Sequence, residues 1–154
     1  MKNRKEVTFV IEGTPKPQKR HRFGRGYIYD PSKKEKQDIR ALVGAINLNK
    51  TEDAVTIAIT FYMPRPKKHY RTGKYAGVLK ETAPDLHTSK PDLDNMIKFY
   101  MDALNGLAWK DDAQVVGIMT NKIYDETPRT EITIHNHSGS EVIEYPMDNL
   151  GAVA

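Results

Sequence analysis

The chain has 154 residues, enough for one domain with an arm or tail, and sets 24 Lys/Arg against 20 Asp/Glu for a formal charge of +4. Cysteine is absent, which excludes disulfides, cysteine zinc sites and thiol nucleophiles. No run is long and apolar enough to span a bilayer, and the charged start leads straight into a short strand rather than a leader's apolar core, so a cytoplasmic protein with no membrane partner is expected.

Residues 7–11 are short and β-rich and predict a first strand. Residues 13–31 read as a loop dense in Pro, Gly and Arg/Lys, with Phe23, Tyr27 and Tyr29 interleaved. Ser32 then opens a helix, with Glu35 three residues on to complete a capping box. Ile39, Leu42, Val43 and Ile46 fall at the spacing of one buried helical face. Alternation across 54–63 predicts a strand with one buried side. Residues 64–90 form a long basic loop with no clear period, a kind of segment that is functional or disordered more often than not. From Leu93 the helical period returns, with Leu93, Met96, Ile97, Tyr100, Met101 and Leu104 as its stripe and Asn105-Gly106 as its stop. Two more strands follow, at 114–124 and 131–135, with 125–129 expected to join them as a hairpin. The order predicts an α+β domain over residues 1–135, a small mixed sheet with two amphipathic helices packed on it. Residues 136–154 form an acidic C-terminal tail.

Charge is unevenly spread. Residues 1–40 carry a net +7 and 64–91 a net +5, whereas 92–112 carry −3. Two basic blocks thus flank an acidic one, and basic blocks favour a polyanion through counterion release. Lys16, Lys19, Arg20, Arg22, Arg25, Lys67, Lys68 and Arg71 are the candidate phosphate contacts. Phe23 or Tyr27 is a candidate wedge, set against simple packing within the loop.

The acidic block holds Asp92 and Asp94 at the start of the second predicted helix, then Asp111 and Asp112 in the turn beyond its end. Clustered carboxylates repel one another unless a cation or base sits among them. Asp92 or Asp94, with Asn95 as an alternative to Asp94, also suits a helix N-cap, and Asp111-Asp112 suits a plain turn. Lys98 lies four residues after Asp94 and four before Asp102, so it reads either as a cation beside a reacting phosphate or as part of an i,i+4 ion-pair ladder. Asp102 reads as supporting. If the two acidic groups meet, two or three carboxylates would suit Mg²⁺, which takes oxygen ligands and keeps several waters. The spacing alone leaves that meeting open, because about eight residues cannot run back a full helix length by themselves. His135-Asn-His137 spells a string associated with other nucleases, but it closes a predicted strand and is better read as chance.

Taken together, Lys90-Pro-Asp-Leu-Asp-Asn-Met-Ile-Lys98, Asp102-Ala-Leu104 and Trp109-Lys-Asp-Asp-Ala-Gln-Val115 resemble the RusA family of Holliday-junction resolvases. The shared pattern is D-x-D-N-x-x-K, then D-A-L, then W-x-D-D-A-Q-V. The resemblance implies a RusA-like fold and a homodimer that cuts four-way or other branched DNA with Mg²⁺, Mn²⁺ substituting. It also implies Asp92, Asp94 and Asp112 as metal-binding carboxylates, Lys98 as the catalytic lysine and Asp111 as a supporting residue. The rival expectations are a non-catalytic accessory protein that binds branched DNA and a metal nuclease for flaps or RNA.

Overall fold

The computed structural model describes residues 6–46 and 48–138, so the predicted acidic tail lies almost wholly outside the described residues. The chain order is β1 (Glu6–Glu12), β2 (Arg22–Gly24), β3 (Tyr27–Tyr29), α1 (Lys33–Gly44), β4 (Ala54–Pro64), α2 (Leu93–Leu104), β5 (Val115–Asp125) and β6 (Arg129–His137). The main sheet runs β1-β6-β4-β5, while β2 and β3 pair only with each other. β4 lies parallel to β5 and antiparallel to β6, and β6 is antiparallel to β1. The α+β expectation of a small mixed sheet and two helices therefore holds. No helix among the described residues is long and apolar enough to cross a membrane.

β4 is the central strand because its inward residues are all large and apolar. Val55, Ile57, Ile59 and Phe61 alternate along it and are buried, facing Ile132 and Ile134 of β6 and Phe9 and Ile11 of β1. α2 covers this face with Met96, Phe99, Tyr100, Ala103 and Leu104. Phe99 fell outside the predicted stripe, because a helix pressed between a sheet and α1 buries more than one narrow face. The Tyr100 hydroxyl lies in this interior but is satisfied, accepting from Thr130 Oγ1 at 3.0 Å and from the Lys16 backbone at 3.2 Å.

Three local expectations need correction. α1 buries only Ile39 and Val43, leaving Leu42 and Ile46 exposed, because it packs on α2 along one narrow ridge. The capping box does not form: Ser32 Oγ accepts from the Lys19 backbone N–H at 3.0 Å, and Glu35 pairs with Lys19 at 2.9 Å. Tertiary partners have taken both side chains from the helix end. Finally, β5 and β6 are no hairpin. β4 lies between them, so the turn after Asp125 arches over its end.

Residues 64–90 are also more built than a loop. Pro64 ends β4, short 3₁₀ turns occupy Lys67–His69 and Gly73–Tyr75, and Tyr70 bridges to Leu79. The segment then docks on the free edge of β5. His87 N–H donates to Lys122 O at 3.0 Å and Tyr124 N–H to Asp85 O at 2.8 Å. An edge strand that would otherwise offer bare backbone groups is covered.

Candidate nuclease site at the start of the second helix

Asp92 is the N-cap residue of α2, in extended backbone conformation, and its carbonyl accepts from Met96 N–H at 3.2 Å. Its carboxylate makes no capping bond, and neither Asp94 nor Asn95 is the cap. Helical geometry begins at Leu93, so Asp94 sits in the first turn, where the positive end of the helix dipole favours it. Both carboxylates are exposed. Lys90 Nζ lies 2.6 Å from Asp92 Oδ1. That pair is solvated on both sides, so it orients more than it stabilises.

Two neighbours fix this helix end and a third fixes the other. Lys122 reaches across from β5 and donates from Nζ to Ser89 O and Pro91 O, both at 2.7 Å, clamping the approach to Asp92. Gln18 N–H donates to Asn95 O at 2.9 Å, which ties the basic N-terminal segment to the same turn. At the far end, Arg40 of α1 donates to Ala103 O at 2.9 Å and Asn105 O at 2.7 Å, closing the last carbonyls of α2. Sequence reasoning missed all three. Nothing local marks a strand lysine or a helix arginine as the partner of a distant carbonyl.

Lys98, one turn on from Asp94, is exposed and forms no ion pair with another described residue. The expected ladder is absent because Asp102 turns instead to Lys36 at 3.0 Å, which also holds Asp30 at 2.8 Å. Burial alone would raise the Asp30 carboxyl, but hydrogen bonds from Lys36, Ser32 N–H and Gln18 outweigh it and hold it at about 2.

The second acidic group lies elsewhere. Trp109 is fully buried, and its Nε1–H donates to Asp112 Oδ1 at 2.8 Å. Asp111 caps the short turn Asp112–Gln114, accepting from Ala113 N–H at 2.8 Å, while the Gln114 side chain accepts from Asp111 N–H. Asp111 thus does structural work. This turn adjoins the C-terminal end of α2, where Trp109 bridges to Asn105. Asp92 lies at the N-terminal end, twelve residues or about 18 Å away along the helix axis. Among the described residues no group of three or more His, Asp or Glu is placed to hold a metal ion. The expected convergence of Asp92, Asp94 and Asp112 does not occur within one chain, since α2 stands between them. A three-carboxylate centre for a divalent cation is not assembled there.

Of the basic candidates, Lys16 and Lys19 share Glu35, at 3.9 and 2.9 Å. Arg71 lies over the Tyr75 ring at 4.3 Å. Arg20, Arg22, Arg25, Lys67 and Lys68 are exposed. Both basic segments attach beside the start of α2, one through Gln18 and the other through residues 89–91.

The docked loop is held by His69 and His87, whose rings flank Tyr124 with centroids 4.7 and 4.6 Å away. Burial pushes both imidazoles below 6.5, helped by Arg65, Lys68 and Lys80 around His69 and by Lys122 beside His87. The opened loop takes up protons near 6.5 and the packed loop only below it. The packing is therefore at full strength above pH 6.5 and weakens as pH falls through the depressed folded values. Hydrogen-exchange protection factors at His87 and Tyr124 are expected to drop below pH 6.5; constant protection down to about pH 5 would show that the histidines do not hold the loop.

The family model for endodeoxyribonuclease RusA matches residues 12–135, from the end of β1 through most of β6. The chain belongs to that family. It is a nuclease acting on DNA, and the family implies resolution of Holliday junctions. The chain is 34% identical over 145 residues to the uncharacterized protein YqaN of Bacillus subtilis (strain 168), covering 86% of this chain and 97% of that protein. A shorter match is 44% identical over 48 residues to the crossover junction endodeoxyribonuclease rusA of Lactococcus phage r1t, covering 30% of this chain and 37% of that protein.

Proposed function

We propose that this chain resolves four-way DNA junctions in the cytoplasm as a C2 homodimer, hydrolysing one phosphodiester on each of two opposed strands to leave 5′-phosphates and 3′-hydroxyls. The observation that carries this reading is the start of α2. Two exposed carboxylates stand there between two basic segments, each tied to that same helix end. A four-way junction has two-fold symmetry, so paired nicks call for two equivalent sites. Arg20, Arg22, Arg25, Lys67, Lys68 and Arg71 would hold phosphates, with Lys16 and Lys19 weaker because Glu35 already occupies them. Lys98 would face the developing charge on the phosphate.

The proposed Mg²⁺ site is shared between protomers. Asp92 and Asp94 sit at one end of α2 and Asp112 at the other, so a two-fold axis across the middle of that helix would bring Asp112 of one protomer to the Asp92–Asp94 pair of its partner. Val116 and Ile118 support a contact on this side. They follow the Asp112 turn on β5 and remain exposed although apolar.

The test is magnesium-dependent nicking of a four-way junction, a flap, an RNA duplex and a linear DNA duplex at one salt concentration. Paired, symmetric nicks confined to the junction are expected. Equal cutting of flaps or RNA would move the substrate class, and binding without cutting would defeat the resolvase reading. Ile118→Asp should yield folded monomers that nick no junction; a dimeric, active Ile118→Asp would place the protomer contact elsewhere.

A further inference from the structure

The apolar face of the β2–β3 hairpin has no part in the function proposed above, yet it stands open to solvent. The strand pairing Phe23↔Ile28 puts these two side chains on one face, with Arg22, Tyr27 and Tyr29 on the other. Phe23 is 76% and Ile28 70% exposed, and Tyr27 is open as well. Phe23 stands out from the loop rather than packing within it, whereas Tyr27 packs against Tyr29. A two-stranded hairpin wet on both faces is marginal unless something else holds it.

Here several things do. Arg25 (φ 51°) and Gly26 (φ 83°) both take the left-handed conformation, the pattern of a tight type I′ turn. Tyr27 and Tyr29 pack with ring centroids 6.1 Å apart. At the base, Gln18 Nε2 donates to Asp30 Oδ1 at 2.9 Å, Asp30 pairs with Lys36 at 2.8 Å, and Gln18 N–H reaches Asn95 O at 2.9 Å. Asn95 adjoins Asp94. The hairpin is a braced finger rooted on the turn that carries the candidate catalytic carboxylates.

Its charge says what it meets. Residues 13–29 contain no Asp or Glu, and Arg20, Arg22 and Arg25 all lie within three residues of Phe23 along the chain. A second copy of the finger would bring like charges together, and an apolar protein groove would leave the arginines without partners. Stacked bases edged by phosphates satisfy both kinds of side chain.

We propose that Phe23, backed by Ile28, wedges between base pairs at the branch point of a DNA junction and unstacks them beside the strand to be cut, while Arg22 and Arg25 hold the flanking phosphates. The inference rests on the junction reading and assigns the residue that recognises the branch. The test uses the full chain in EDTA with a four-way junction carrying 2-aminopurine at the branch. Binding of the unaltered chain is expected to raise the emission several-fold. Phe23→Ala should bind within about threefold of the unaltered chain, leave the emission at the free-DNA level and slow cleavage in Mg²⁺ by about tenfold or more, whereas Phe23→Trp should restore both. The melting temperature should not move, because the side chain touches no core. Full emission and full cleavage with Phe23→Ala would overturn the wedge, and so would conversion of that variant from dimer to monomer. Flat emission from an unaltered chain that still cuts junctions would sink the wedge and leave the resolvase reading standing. An unaltered chain that neither binds nor cuts branched DNA would end both.

Discussion

A mixture of Asp94→Asn chains with Asp112→Asn chains is expected to nick junctions where neither variant does so alone. Each variant by itself should lose roughly a thousandfold or more in cleavage, the scale of removing a group that meets charge in the transition state. Junction binding should persist, because a negative charge has been taken away from a phosphate site. In a shared site, a mixed dimer concentrates both lesions in one active site and leaves the other intact. Half of randomly paired dimers are mixed and each has one good site, so the nicking rate should recover to about a quarter of the unaltered value. The nicks should be single rather than paired. Were the carboxylates to meet within one chain, every site in the mixture would carry a lesion and it would be as inactive as its components. The prediction follows from the length of α2, which keeps Asp112 away from Asp92 and Asp94 of its own chain.

Trp109→Ala is expected to cost about 3–5 kcal/mol and to lower the melting temperature by about 10 °C or more. Trp109 is the largest fully buried side chain among the described residues, so its truncation opens a large cavity in the core. Trp109→Phe separates packing from positioning. It keeps most of the buried area but removes the donor that holds Asp112 Oδ1 at 2.8 Å. Asp112 is only half-buried, so water can replace that bond, and the stability loss should stay near 1 kcal/mol. Junction cleavage should nevertheless fall about tenfold, because an untethered carboxylate must be ordered each time it is used. Thermal unfolding beside a nicking assay checks both halves. A Phe variant that cuts at the full rate would make Trp109 a packing residue and nothing more.

What was legible in the chain depended on how local its cause was. The apolar alternation of β4 and the stripe of α2 arise from burial of one face, so the periods carried them and their limits came within a residue or two. The β2–β3 hairpin was hidden for the opposite reason. Its strands bury almost nothing, so no hydrophobic period could mark them, and the turn signal was blurred by an arginine where Asn or Gly is usual. The loop 64–90 looked featureless because its order comes from docking on β5 through two histidines and a tyrosine far along the chain. At the site, the spacing of Asp92, Asp94, Lys98 and Asp112 was plain. Their relative positions were not, since these depend on which way β5 runs after α2.

The sheet has one more consequence. β4 is flanked on both sides by strands that are made after it, and β1 pairs only with β6. A nascent chain that stops anywhere before β5 has its central strand made and no neighbour for it. Helix pairs can form early, but the four-stranded sheet can close only after β5 and β6 have been made. A chain still short of β5 and β6 therefore holds an unpaired apolar strand in the middle of its future sheet.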